Sequence, residues 1–158
     1  MRTSTLTIAS MLVLLAAVMV GQPATAYDEG LAKTYEQFFA SFDEQQTAKA
    51  LHMMKPEQIV AAIKNGDDIV LLDVRTAREQ SMLGLTHAAT LHIPMNEVFE
   101  PENLAKIPTG KKVVVTCQSG VRCTVIALAL RNIGFDNVFS MKGGLVEMMK
   151  FLNPKTAF

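Results

Sequence analysis

Lys111-Lys112-Val113-Val114-Val115-Thr116-Cys117-Gln118-Ser119-Gly120-Val121-Arg122-Cys123-Thr124-Val125-Ile126-Ala127-Leu128-Ala129-Leu130-Arg131-Asn132 is the stretch from which the fold of this chain is read. The β-branched run at 113–116 predicts a fully buried strand. Residues 124–133, rich in Ala and Leu, predict a buried helix closed by Gly134. A strand that turns through a short loop straight into a helix leaves backbone N–H groups pointing inward, and these favour an anion. Cys117 opens that loop, so its own thiolate is the natural anion, with a lowered pKa and nucleophilic character. A cysteine at a strand end also serves simply as a small core residue. Ser119 and Gly120 permit a tight turn, and Arg122 brings a permanent positive charge back over the loop, which favours the catalytic reading.

Working outward, residues 69–74 are apolar apart from Asp73 near the end, the mark of a central strand in a parallel sheet. Pro56 opens a helix that Asn65-Gly66 closes. A short helix follows at 76–82, a strand at 91–93 and a helix near Asn103. Beyond Gly134, a last strand at 137–141 leads through Lys142-Gly143-Gly144 to a helix at 145–152. Short strands alternating with helices predict an α/β fold with a mostly parallel sheet. Asp73 stands at a strand end as a helix cap or a loop-bracing carboxylate. His87 and His92 suit surface or cap roles better than general-base roles, because a thiolate already formed needs no base.

The amino-terminal segment reads differently. Arg2 precedes an uncharged apolar run at 6–20, then Gly21-Gln22-Pro23 and small residues at Ala24 and Ala26. That order predicts a signal peptide over 1–26, cut after Ala26, with export to a periplasmic, oxidising compartment. The run is shorter than the roughly 20 residues of a membrane-spanning helix. The chain carries 15 basic and 15 acidic residues, so the cut chain, without Arg2, holds 14 against 15. Such a balance gives no electrostatic footprint for nucleic acid. Residues 27–53 form a helical extension in which Leu31, Tyr35, Phe38, Phe39 and Phe42 share one face. That face suits packing on the following domain, or a protein partner or homodimer surface through residues 27–52. His52-Met53-Met54 raises soft copper coordination, although methionine more often fills gaps in a core. No metal site and no cofactor is expected.

Cys-Gln-Ser-Gly-Val-Arg at 117–122 resembles the active-site loop of the rhodanese (sulfurtransferase) family. Three further segments agree in order: Leu71-Leu72-Asp73-Val74-Arg75 with Glu79; Gly84 onward to Ile93-Pro94; and Gly134-Phe135-Asp136-Asn137-Val138 with Lys142-Gly143-Gly144. The resemblance covers about residues 54–152 and implies a rhodanese-like domain over 54–158 with a five-stranded sheet. It also implies that Asp73 and Arg75 support the loop, with Glu79 a structural partner of the same kind. Leu85 replaces the usual histidine, the aromatic residue expected after the glycine pair is absent, Gln118 takes an often basic position and Cys123 one usually held by serine.

The resemblance implies sulfur transfer by double displacement. Cys117 accepts a sulfane sulfur from thiosulfate, a polysulfide or a persulfide, holds it as a persulfide and passes it to a thiol or other acceptor. Gln118, Ser119, Gly120, Val121 and Cys123 provide the cradle, and Arg122 stabilises the anion. The six-residue C-x4-R loop is one residue shorter than the C-x5-R loops of phosphatases and arsenate reductases, so it encloses a single sulfur atom better than a tetrahedral oxyanion. The alternative is a sulfur-carrier or redox-sensing module acting with a protein partner. Cys117 and Cys123 are the only cysteines. Cys123 either substitutes for serine as a small buried residue or forms a reversible disulfide with Cys117.

Overall fold

The computed structural model describes residues 26–40, 42, 43, 47 and 51–152. The expected signal peptide lies, Ala26 apart, outside the described residues, as does much of the segment between Phe39 and Leu51. The chain divides into two compact units, Met1–Ser41 and Phe42–Phe158.

In the first unit, Asp28 begins α1 (Glu29–Phe39) by accepting the Leu31 N–H at 2.9 Å. Of the predicted stripe, Leu31, Tyr35, Phe38 and Phe39 lie in α1, which ends before Phe42. Tyr35 stacks on Phe39 with ring centroids 6.2 Å apart, and Phe38 meets Phe39 edge-on at 5.0 Å. Leu31, Tyr35 and Phe39 are exposed.

The second unit is built on five parallel strands in the order β1-β5-β4-β2-β3. These are β1 (Met53–Met54), β2 (Ile69–Asp73), β3 (Thr90–His92), β4 (Lys112–Thr116) and β5 (Val138–Met141). Every residue of β2 is buried, as are Val113 to Thr116 of β4, because helices between successive parallel strands return the chain across the sheet and cover it. The connecting helices are α2 (Pro56–Lys64), α3 (Ala77–Met82), α4 (Pro101–Leu104), α5 (Val121–Asn132) and α6 (Gly144–Phe151). Ile59, Leu72, Val74, Val98, Val113, Val115, Leu130 and Val138 are among the core side chains. Among the described residues, no helix is long and apolar enough to cross a membrane.

Two elements depart from expectation. Met53 and Met54 form an edge strand paired with Ser140 and Met141, and Met54 belongs to the core. Two residues give too little pattern to announce a strand, and only the exposed backbone edge of β5 creates it. Helix α5 begins at Val121, three residues before the apolar run at 124–133 suggests. Gly120, in the left-handed region at φ 94°, is its N-cap. The helix therefore takes in Val121-Arg122-Cys123 as its first turn. That places the second cysteine in the helix and leaves Cys117 to Gly120 as the connecting loop.

Chain order fixes where a site lies. From β2 the chain steps outward to β3, then crosses back to β4 on the other side of β2. The carboxyl ends of β2 and β4 flank this reversal, the position at which open parallel sheets form a crevice. Asp73 and Thr116 are register partners there, and Cys117 is the next residue.

Candidate active site

Four backbone N–H groups at the start of any α-helix lack partners within the helix. Gly120 has no side chain with which to cap α5. The Cys117 sulfur fills that place: it accepts the Gly120 and Cys123 N–H groups, each at 3.2 Å. The Cys123 thiol also points at it, with Sγ to Sγ at 2.7 Å. Both cysteines are fully buried and unbridged.

The electrostatics follow. The Cys117 thiol is lowered to about 6, chiefly by the Cys123 thiol donating to its anion, with backbone N–H groups of Cys123, Gly120 and Ser119 adding to the effect against the cost of burial. Cys123 moves the other way, because giving up its proton would remove that hydrogen bond and bury a second charge beside the first. The pair thus holds one negative charge and one proton, with the charge on Cys117. The sequence points to a lowered pKa through backbone donors and the helix end; the structure adds the neighbouring thiol as the largest contribution.

Arg122 does not stand free over the loop. Its guanidinium makes a two-pronged pair with Glu79, Nη1 to Oε2 at 2.9 Å and Nη2 to Oε1 at 2.5 Å. The reason lies in α3. Thr76 and Glu79 form a capping box there: the Glu79 carboxylate returns to the Thr76 N–H at 3.0 Å and is held beside the loop. The pair lowers Glu79 to about 2, with the Arg122 hydrogen bond the main cause, and raises Arg122. Glu79, expected as a scaffold partner, is therefore a direct partner of the loop.

Asp73 does not cap α3, whose N-cap is Thr76; its carboxylate turns to the backbone that follows β2. It accepts from the Arg75 N–H at 3.1 Å, from Nε at 3.0 Å and from Nη2 at 2.7 Å, and both side chains are buried. This pair fixes the backbone after β2, where the Arg75 carbonyl accepts from the Gln80 side chain at 3.0 Å. His92 is half exposed, its Nδ1 3.8 Å from Asp73, and His87 contributes its carbonyl to Thr90.

The glycine pair has a role that sequence alone did not assign. The carbonyls of Cys117 and Gln118 accept from the N–H groups of Leu145 and Val146, at 2.8 and 3.0 Å. So close a docking excludes side chains at the contact. A Cβ on Gly144 would lie 2.6 Å from the Cys117 carbonyl oxygen, and one on Gly120 would lie 2.9 Å from the Gly143 nitrogen. The loop is thus clamped between the first turns of α5 and α6. Its outer side opens on a cavity lined by Arg75, Glu79, Met82, Leu83 and Gln118. Met82, Leu83 and Val121 are exposed apolar side chains of α3, its end and the first turn of α5. Among the described residues, no cluster of three or more His, Cys, Asp or Glu side chains is placed to hold a metal ion.

The family model of the rhodanese-like domain matches residues 55–150. The chain is similar to a probable adenylyltransferase/sulfurtransferase MoeZ of Mycobacterium tuberculosis, 30% identical over 122 residues that make up 76% of this chain and 30% of that protein. It is also similar to a tRNA uridine(34) hydroxylase of Cytophaga hutchinsonii, 32% identical across 54% of this chain and 28% of that one. The chain thus spans about three-tenths of the length of these relatives. Among solved structures, the reduced CoADR-RHD of Bacillus anthracis matches with a TM-score of 0.54 and 27% identity, over 66% of this chain and 17% of that one.

Proposed function

The chain is a member of the rhodanese-like domain family, and on that premise we propose that it is a sulfurtransferase working through a persulfide on Cys117. The observation that carries this is the triply donated Cys117 sulfur: two backbone N–H groups at 3.2 Å and one thiol at 2.7 Å, at the first turn of a helix. A thiolate so held attacks the outer sulfur of a donor. The donor's S–S bond breaks, its sulfite or thiolate leaves, and Cys117 carries the extra sulfur as an anion. An acceptor thiolate or cyanide then attacks that outer sulfur and returns Cys117 to its thiolate. The loop donors offset the charge in both half-reactions.

Arg122, turned toward Glu79, acts in this scheme by fixing the loop more than by supplying net charge. With Gln118 at the mouth and the Arg122 charge balanced, the site favours a persulfide or polysulfide donor over the thiosulfate dianion. The exposed Met82 and Leu83 that line the opening, with exposed Val121 in the first turn of α5, support a second reading, in which the acceptor is a protein and the domain acts as a sulfur carrier. Export through a signal peptide belongs to the same proposal.

The test is incubation of the full chain with each candidate donor and then with small thiols, cyanide or protein thiols, followed by intact mass. Gain of one sulfur atom from the donor and its loss to the acceptor supports the proposal. A Cys117→Ser chain that still takes up and passes on sulfur refutes it.

A further inference from the structure

The mechanism above leaves one nucleophile unused. Cys123 lies in the first turn of α5 with its sulfur 2.7 Å from the sulfur that receives the transferred atom, against about 2.05 Å in a disulfide bond. Both groups are buried, and Cys123 reaches Cys117 through its main chain as well, by the N–H bond at 3.2 Å. The two sulfurs are therefore held together by the same loop–helix junction that activates Cys117. We propose that Cys123 is a second catalytic residue, a resolving thiol that attacks the Cys117 persulfide and converts the bound sulfane sulfur to sulfide, giving the protein a persulfide reductase activity. This rests on the sulfurtransferase reading, since it needs the same intermediate.

The step balances without an outside oxidant. The Cys123 sulfur attacks the inner, Cys117 sulfur of the persulfide. The bond between that sulfur and the outer one breaks, and the Cys117–Cys123 disulfide forms. The Cys123 proton passes to the outer sulfur, which leaves as hydrosulfide. The sulfane sulfur gains two electrons, and the two cysteine thiols supply them. A dithiol reductant then reopens the bridge by exchange and is itself oxidised to a disulfide. Before loading, Cys117 holds the negative charge and Cys123 holds the proton, so the proton the leaving sulfur needs is already in place.

The geometry separates this role from that of a serine substitute. A hydroxyl at position 123 donates a hydrogen bond to the thiolate as the thiol does, but it cannot take over the inner sulfur. Replacement by serine therefore keeps the donor and removes the resolving step, whereas alanine removes both.

The experiment uses the full chain, reduced and freed of small thiols. It is loaded with cysteine persulfide, desalted at once, and followed in time by intact mass and by sulfide in the filtrate. The expected result is that the wild-type chain sheds its extra sulfur as one sulfide per chain and ends two hydrogens lighter than the starting protein, with dithiothreitol restoring the original mass. Cys123→Ser and Cys123→Ala should retain the extra sulfur over the same period. A wild-type chain that holds its extra sulfur as long as the variants overturns the resolving role and leaves the sulfurtransferase reading standing. If neither the wild type nor the Cys123 variants take up sulfur, both readings fall.

Discussion

At the residue scale, the chemistry rests on one shared proton. Cys117 is lowered to about 6 because a neighbouring thiol and the orphaned N–H groups of a helix donate to its anion. Its alkylation by iodoacetamide should therefore rise with pH to half its plateau near pH 6 and stay flat through neutrality. In Cys123→Ala the half-rise should move toward higher pH, since the largest contribution to the lowering is gone; Cys123→Ser should keep most of it. A midpoint that stays put in the alanine variant would show that the backbone alone sets the value. The same shift acts on stability. The folded group lies below its ordinary value of 9.0, so its contribution is present above pH 9 and is lost as pH falls toward 6. Cys117→Ser, whose hydroxyl is not deprotonated in this range, should fold normally and have no sulfur-transfer activity.

At the scale of elements, the loop holds its shape because α6 and β2 brace it from different directions. Gly144, at φ 60°, lies where a Cβ would meet the Cys117 carbonyl oxygen at 2.6 Å and the Gln118 carbonyl carbon at 2.7 Å. Gly144→Ala should cost about 1–3 kcal/mol in urea unfolding and disable the loop, since strain in a left-handed conformation adds to the backbone clash. Asp73→Ala leaves the Arg75 guanidinium buried without its carboxylate and should cost about 3–5 kcal/mol by the same measurement. A loss under 1 kcal/mol for Asp73→Ala would mean that Arg75 finds another partner. These elements also show what a sequence conveys. The strand at 113–116, the loop and the Ala- and Leu-rich helix were legible, because β-branched runs and helix formers report their own conformation. The start of α5 was not, because Val121 and Arg122 read equally well as loop; only the left-handed Gly120 sets the boundary. The Glu79–Arg122 pair joins residues 43 apart in the chain, and no local pattern announces such a partner. The tandem glycines were visible as a motif, but their reason, close approach of α6 to the loop, exists only in the fold.

For the whole molecule, five parallel strands place the site at the reversal between β2 and β4, and the sheet order required the edge strand β1 that two methionines did not reveal. The family and fold were carried by four collinear segments. The compartment rests on the amino-terminal pattern, and its check is separate: amino-terminal sequencing of protein from the exported fraction should begin at Tyr27, and a chain retained with Met1 on a membrane would contradict it. The central claim, that Cys117 receives the sulfur, has a direct test built into the loop. Arg122 lies between the two cysteines, so trypsin separates peptide 113–122 from peptide 123–131. After brief exposure to a donor with isotopically heavy sulfane sulfur and immediate alkylation, the label should sit on the peptide of Cys117. Label found first on the peptide of Cys123, or on neither, would contradict the account.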